Sequence, residues 1–116
     1  MVEDEEVVRN LLTEMLSGNG YKVFSAANAK EALDIFEKEK GAFALVFCDV
    51  ILPDLRGPKL VEQLLKQKPK IRVLFTSGYS DEKSDRQIIH QFGYPYLNKP
   101  FTSYDMLKAV KEALQK

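Results

Sequence analysis

Apolar residues recur at helical spacing in five segments of this chain. In each segment they stand three or four residues apart, so they fall on one face of a helix, and a capping residue, glycine or proline marks an end. Asn28 followed by Glu31 has the form of a capping box, and Thr102 or Ser103 is placed to cap the last segment. The predicted helices cover residues 5–17, 28–40, 59–68, 80–92 and 103–114.

Shorter apolar runs separate these helices and predict strands. The run Phe43–Cys48 has no polar alternation, which is typical of a strand buried on both faces in a parallel sheet covered by helices. Three further runs, at 21–26, 71–77 and 94–97, are also predicted to be strands. Strict alternation of strand and helix favours parallel pairing with right-handed connections, and therefore an α/β fold.

The N-terminus predicts one more strand. Met1 and Val2 are the only apolar residues before an acidic cluster, and a first strand fits the alternation only if it lies ahead of Glu3. We therefore expect residues before Met1 in the natural protein, with Met1-Val2 as the end of that strand. Between the strand at Phe43–Cys48 and the third helix, two prolines and a glycine predict a loop over 51–58.

Length and composition narrow the class of protein. A chain of 116 residues with 45% hydrophobic residues is predicted to form one compact domain over 1–116. Its 17 basic and 17 acidic residues cancel, so we expect neither nucleic acid nor a membrane surface as a direct partner. The lone Cys48, in an apolar strand, excludes an internal disulfide, and no apolar stretch approaches a membrane span of roughly 18 residues. These features predict a cytoplasmic domain.

Residues that follow the predicted strands supply the candidate chemistry. The carboxyl ends of all strands in a doubly wound parallel sheet lie at one edge, so residues distant in sequence converge there. The groups expected at that edge are the side chains of Glu3, Asp4, Asp49, Ser77 and Lys99. Carboxylates repel by about 1 kcal/mol per pair in water at about 4 Å, which favours a bound cation, and oxygen ligands beside a phosphate favour Mg²⁺. Because a carboxylate can also accept a phosphoryl group, these residue types suit phosphoryl transfer to Asp49.

Four short motifs, taken in order, resemble those of the receiver domains of bacterial two-component signalling, the CheY-like response regulators. They are Val2–Glu5, Cys48–Val50 with the Leu52-Pro53 and Gly57 that follow, Thr76–Tyr79, and Lys99–Phe101. The resemblance covers essentially the whole chain. It implies a flavodoxin-like, doubly wound, five-stranded parallel sheet with strand order 2-1-3-4-5 and helices on both faces. The form Ser77-Gly78-Tyr79, together with the ending Lys99-Pro100-Phe101 and the single helix after it, is similar to that of receivers at the end of hybrid sensor histidine kinases.

The resemblance implies a role for each residue of the acidic edge. Asp49 would be the phosphoacceptor, and Mg²⁺ would be held by Asp4, Asp49 and the backbone carbonyl of Ile51, with Glu3 acting through a metal-bound water. The phosphoryl donor would be a phosphohistidine on a sensor histidine kinase or a phosphotransfer domain. The domain would promote only its own phosphorylation and dephosphorylation, and would not otherwise be an enzyme.

The resemblance also implies a conformational switch. Ser77 and Gly78 would bind the phosphoryl oxygens, Lys99 would pair with the same group, and the bond from Lys99 to Pro100 would be cis. Tyr96 would be an aromatic switch residue whose ring turns inward when Ser77 moves toward the phosphate. The face made by the fourth helix, the last strand and the last helix would then change its contacts with a downstream protein or an attached domain.

Other interpretations remain open from the sequence. A pseudo-receiver that is not phosphorylated, and acts only as an interaction module, would have the same fold. The sequence disfavours a haloacid-dehalogenase-like phosphatase, because that class has a second Asp where this chain has Ile51. It also disfavours a flavin carrier, which would need a phosphate-binding loop in place of the acidic residues Glu3–Glu6. Tyr96 is also suited to core packing. His90, mid-helix and without a partner cluster in sequence, is better explained as part of a solvated helix face than as a phosphoryl relay.

Overall fold

A computed structural model of the protein describes residues 1–77, 87, 89–91 and 93–115. Gln87 and residues 89–91 are helical, within the helix predicted over 80–92, and the rest of that prediction lies outside the described residues. The helices and strands, in chain order, are α1 (Glu6–Gly18), α2 (Ala29–Lys38), β1 (Leu45–Asp49), α3 (Gly57–Gln67), β2 (Arg72–Ser77), β3 (Tyr96–Asn98) and α4 (Ser103–Gln115).

The three strands form a parallel sheet in the order β1-β2-β3. The pairing aligns Leu45 with Arg72 and Asp49 with Thr76 across the first strand pair. Across the second pair it aligns Ser77 with Asn98. Parallel pairing is thus confirmed, and all three strands end at the same edge.

The N-terminal residues lie beside this sheet without forming a full strand. Val2 makes isolated parallel bridges to Ala26 on one side and to Cys48 on the other. The Val2 N–H donates to the Phe47 carbonyl (2.8 Å), and the Glu3 N–H donates to the Ala26 carbonyl (3.0 Å). The described residues therefore contain three strands rather than the five predicted, because a single bridged residue between two segments is too short to extend either pairing.

Apolar side chains of alternate strand positions fill a core on each face of the sheet. On one face Val46 and Phe75 pack with residues of α2 and α3, and on the other Phe47 and Leu74 pack with residues of α1 and α4. Period-two alternation in a strand sends neighbouring side chains to opposite faces, so the uninterrupted apolar run of β1 is buried on both. The predicted helices on both faces are thus present.

Local signals explain where the helices begin. The Asn28 side chain accepts a hydrogen bond from the Glu31 N–H (2.8 Å), as the capping box predicts, although the Glu31 carboxylate accepts from the Ala27 N–H (2.6 Å) instead of that of Asn28. Thr102 caps α4 by accepting from the Asp105 N–H (3.0 Å).

The start of α3 differs from the sequence prediction. The helix begins at Gly57, two residues ahead of the predicted Lys59, and Pro58 lies in its first turn. A proline is tolerated there because its missing N–H would have no helical partner. The pair Gly57-Pro58 was therefore wrongly predicted as loop.

None of the helices in the parts of the chain described above is both long enough and apolar enough to cross a membrane.

Candidate functional site

The carboxyl edge of the sheet brings together residues from four separate parts of the chain. Asp49 ends β1 and Ser77 ends β2, while Lys99 follows β3 directly and donates its backbone N–H to the Ser77 carbonyl (2.7 Å). Glu3 and Asp4 arrive at the same edge because the Asp49 N–H donates to the Val2 carbonyl (3.1 Å). The predicted convergence is therefore observed for these side chains.

Lys99 forms the central ion pairs of the site. Its Nζ lies 2.7 Å from Asp49 Oδ2 and 3.2 Å from Glu3 Oε1. The side chains of Asp49 and Glu3 are 9% and 4% exposed, so both carboxylates are nearly removed from water. The peptide bond between Lys99 and Pro100 is cis, as the sequence resemblance implied.

Burial and neighbouring charges shift the pKa values of two groups in this site. The pKa of Glu3 is raised from 4.5 to about 7, mainly by burial; Lys99 opposes the rise and the negative charge of Asp49 adds to it. Burial alone would lower the pKa of Lys99, but its hydrogen bonds and attraction to Asp49 and Glu3 outweigh burial and raise that pKa above 10.5. Lys99 is therefore a permanent cation, whereas Glu3 takes up or releases a proton near neutral pH.

Three carboxylates lie close enough to share one cation. Oxygen atoms of Glu3, Asp4 and Asp49 all fall within 4.8 Å of one another, with Asp4 exposed and the other two buried. The Arg9 guanidinium, on α1, donates to the backbone carbonyls of Glu3 (3.0 Å) and Asp4 (3.4 Å), which fixes this turn without neutralising its side chains. Repulsion among the three carboxylates and a set made only of oxygen donors both favour a hard divalent cation.

The loop after β1 orients the Asp49 carboxylate. The Ile51 N–H donates to Asp49 Oδ1 (3.1 Å), so one carboxylate oxygen is held by the backbone and the other by Lys99. Farther along the loop, Asp54 accepts from the N–H groups of Ala29 (2.9 Å) and Lys30 (3.0 Å) at the start of α2. These bonds lower the pKa of Asp54 and attach the loop to the scaffold.

Gly57 lets the start of α3 lie directly against the end of β1. Its N–H donates to the Val50 carbonyl (2.7 Å). A Cβ at this position would clash with the backbone carbonyl of Asp49 and lie 3.0 Å from the Cα of Val50. Only glycine therefore fits here without moving the loop that carries Asp49 and Ile51.

Ser77 and Tyr96 are the remaining predicted site residues that the structure describes. The Ser77 side chain is buried, and its hydroxyl donates to Asn98 Oδ1 (3.2 Å) on the neighbouring strand. Tyr96 is 41% exposed and its ring meets that of His90 edge to face, with centroids 5.3 Å apart. Gly78, which the resemblance placed with Ser77, lies outside the described residues.

Comparison with known proteins decides the family. A sequence model described as the response regulator receiver domain matches residues 1–111. The chain belongs to this family.

Relatives of this receiver domain include both kinases and small regulators. It is 37% identical to the sensor kinase CckA of Brucella abortus, over 100% of this chain and 12% of the kinase. It is 30% identical to sporulation initiation phosphotransferase F of Bacillus subtilis, over 98% of this chain and 90% of that protein. The chain spans about half or less of the length of most other curated relatives it matches.

A solved structure has the same architecture. The receiver domain superposes on a CheY-like receiver from Methanospirillum hungatei with a TM-score of 0.87 and 30% identity, covering 98% of this chain and 90% of that one. The fold is therefore that of the flavodoxin-like receivers, with a parallel sheet between helices.

Sequence reasoning missed two residues of this receiver site. Asn98, which holds the Ser77 hydroxyl, is an exposed polar residue in a three-residue strand, and no periodicity distinguishes it. Asp54 was taken as part of a loop, although an Asp shortly before a helix-forming segment is a signal that it can cap a helix end. Here the capped helix is α2, which is distant in sequence, so only the fold reveals the pairing.

Proposed function

We propose that this receiver domain accepts a phosphoryl group on Asp49 from a phosphohistidine of a sensor histidine kinase or a phosphotransfer domain. The observation that carries the proposal is the Asp49 carboxylate at the carboxyl edge of β1, with Oδ2 2.7 Å from the Lys99 ammonium and with Glu3 and Asp4 beside it. In the transfer, a carboxylate oxygen of Asp49 forms a bond to phosphorus while the bond from phosphorus to the imidazole nitrogen breaks. The electron pair of that bond returns to the imidazole.

The acidic cluster fits Mg²⁺ as the cofactor of this transfer. Asp4, Asp49 and the backbone carbonyl of Ile51 would hold the ion, and Glu3 would act through one of its waters. The cation would neutralise charge on the transferring phosphoryl group and allow the acidic cluster to face it. Asp4 suits this role since it is exposed and its side chain can turn toward an incoming ion.

Protein groups around Asp49 supply the rest of the electrostatic stabilisation. Lys99, already paired with Asp49, would then form an ion pair with the phosphoryl oxygens, because an ammonium group attracts phosphate as it attracts carboxylate. The Ile51 N–H keeps the carboxylate in a fixed orientation during attack. Ser77 would turn its hydroxyl to a phosphoryl oxygen, with Gly78 beside it.

The signal would leave the site through the last strand. Movement of Ser77 would let the exposed ring of Tyr96 turn inward and change the face formed by the helix predicted over 80–92, β3 and α4. A downstream protein or an attached domain would recognise that face. The proposed fold behind this switch is the five-stranded sheet of order 2-1-3-4-5.

Relatives support the class of partner. Two relatives are a sensor kinase and a phosphotransferase, and we propose that the present domain likewise works with a histidine kinase, in the cytoplasm. Its only catalysis would be its own phosphorylation and dephosphorylation.

Incubation with acetyl phosphate and Mg²⁺ tests the proposal directly. The wild-type protein should gain the mass of one phosphoryl group, and Asp49→Asn should gain none. Asp34→Asn, which changes an exposed carboxylate on α2, is the matched control and should be labelled like the wild type. Absence of labelling in the wild-type protein would instead favour the pseudo-receiver that serves as an interaction module.

A further inference from the structure

The Ser77 hydroxyl is already hydrogen-bonded in the structure, and its partner is the side chain of Asn98. Ser77 Oγ donates to Asn98 Oδ1 at 3.2 Å. The two residues face each other in the register of β2 and β3, so the contact follows from the pairing of the strands. Ser77 is only 2% exposed, which leaves its hydroxyl dependent on protein groups for hydrogen bonds.

A serine hydroxyl has a single hydrogen to donate. If Ser77 donates to a phosphoryl oxygen on Asp49, it has to release Asn98 Oδ1. The two bonds therefore compete, and the one to Asn98 belongs to the unphosphorylated protein.

We propose that Asn98 holds the Ser77 hydroxyl in the resting receiver and thereby sets how readily the domain responds to phosphorylation. The inference rests on the proposed function and adds to it a residue that opposes activation. Asn98 is a positioning residue, because it acts through Ser77 and does not contact the carboxylates of the acidic cluster.

The position of Asn98 suits a contact that must break easily. The residue is exposed at the end of β3, so water can take the place of the serine at its amide once the bond breaks. Residues two apart in a strand face the same side, which places Asn98 on the same side of β3 as Tyr96. Tyr96 in turn packs against His90. One side of this strand thus carries two contacts of the resting state, one at Ser77 and one at the aromatic residue.

The affinity for beryllofluoride, a mimic of the phosphoryl group, measures how strongly Asn98 opposes activation when the Mg²⁺ concentration is fixed. Asn98→Ala lacks the acceptor that competes for the Ser77 hydroxyl. It should therefore bind beryllofluoride about two- to tenfold more tightly than the wild type, which is the effect of one net hydrogen bond. Asn98→Leu keeps most of the side-chain volume and removes the acceptor, so it should show the same gain. The affinity for Mg²⁺ alone should not change in either variant.

A double-mutant cycle separates this role from a merely structural one. In a Ser77→Ala background the hydroxyl is absent, so Asn98→Ala should then leave beryllofluoride affinity unchanged. An equal gain in both backgrounds, or no gain in either, would overturn the role of Asn98.

Two further results distinguish a failure of the proposed function from a failure of the role given to Asn98. If beryllofluoride does not bind the wild-type protein, or binds Asp49→Asn equally well, the proposed function fails. In that case exchange of the Ser77 hydroxyl proton, measured by NMR without ligand, still tests the contact. Exchange should be faster in Asn98→Ala than in the wild type, and equal rates would contradict the inference.

Discussion

At the scale of single residues, Lys99 determines the charge balance of the site. Its ammonium lies between the buried carboxylates of Asp49 and Glu3, 2.7 Å from the first and 3.2 Å from the second. Burial raises the pKa of Glu3 to about 7 and the charge of Asp49 adds to the rise, which Lys99 only partly offsets, so Glu3 is partly protonated near neutral pH. A divalent cation bound by these carboxylates would complete the neutralisation.

The raised pKa of Glu3 predicts how stability depends on pH. Between pH 4.5 and about 7 the folded protein binds more protons at Glu3 than the unfolded chain does, so this group makes the free energy of unfolding fall as pH rises through that range. The Glu3→Gln variant has no ionisable group at this position, so its free energy of unfolding should not show this fall. At pH 8 its free energy of unfolding should exceed that of the wild type by at most about 3 kcal/mol.

Urea unfolding of both proteins at several pH values, in chelator-treated buffer, measures this difference. At pH 4 the ionisation of Glu3 should contribute little to the difference in free energy of unfolding between the two proteins. This difference should grow as the pH is raised to 8. A difference that stays constant with pH would show that Glu3 does not ionise in the folded protein as described.

At the scale of elements, the loop between β1 and α3 keeps the site in shape. It is attached to α2 through Asp54 and pressed against β1 at Gly57. In sequence, Ile51 lies between Val50, which accepts a hydrogen bond from Gly57, and Asp54. A metal ligand contributed by the backbone can only be as well placed as the loop that carries it.

Gly57→Ala tests the importance of this close approach. The added methyl group would clash with the Asp49 carbonyl, which is backbone and cannot rotate away, so the loop or the start of α3 has to shift. We expect a loss of about 1 to 3 kcal/mol in the free energy of unfolding and weaker Mg²⁺ binding. Chemical denaturation and Mg²⁺ titration followed by NMR measure the two effects.

Gly18→Ala is the matched control for this substitution. Gly18 lies at the end of α1, and a Cβ there would meet no atom within 4 Å. The change should leave Mg²⁺ binding unaltered and stability equal or slightly higher. Equal behaviour of the two variants would contradict the role given to Gly57.

The elements also show what the sequence could predict and what it could not. The apolar run before Asp49 predicts a buried parallel strand, and parallel strands bring Glu3, Asp49 and Lys99 to one edge, so the centre of the site follows from the pattern. Segment 21–26 has the composition of a strand but forms only one bridge, because composition does not determine how many partner residues are available. The Ser77–Asn98 hydrogen bond depends on strand register, which single-sequence patterns leave open.

At the scale of the whole molecule, an apolar cavity lies beside Met1. This cavity of about 300 Å³ lies between residues 21–24 and 42–45, with apolar side chains such as Phe47, Val110 and Leu114 in its walls. An extended segment that continued the backbone pairing of Val2 in the N-terminal direction would run along Phe24 and Leu45 and enter this cavity. The protein core thus has room for a short strand between these two segments.

In a four-residue extension of valine and leucine joined ahead of Met1, the residues nearest Met1 should enter this cavity. Burying their side chains and pairing their backbone should raise the free energy of unfolding by about 1 to 3 kcal/mol, after the cost of ordering the added residues. Thermal unfolding measures the gain, and an extension of glycine and serine with the same length is the control. Equal melting temperatures for the two extensions would mean that the cavity does not accept a strand.

The central claim is that Asp49 carries the phosphoryl group. Phosphorylation by a phosphohistidine donor, followed by borohydride reduction and peptide sequencing by mass spectrometry, identifies the modified residue because reduction converts an aspartyl phosphate to homoserine. We expect homoserine at position 49, dependent on Mg²⁺ and absent from Asp49→Asn. Homoserine at Asp4 or another position, or a phosphoryl group found on His90, would contradict it.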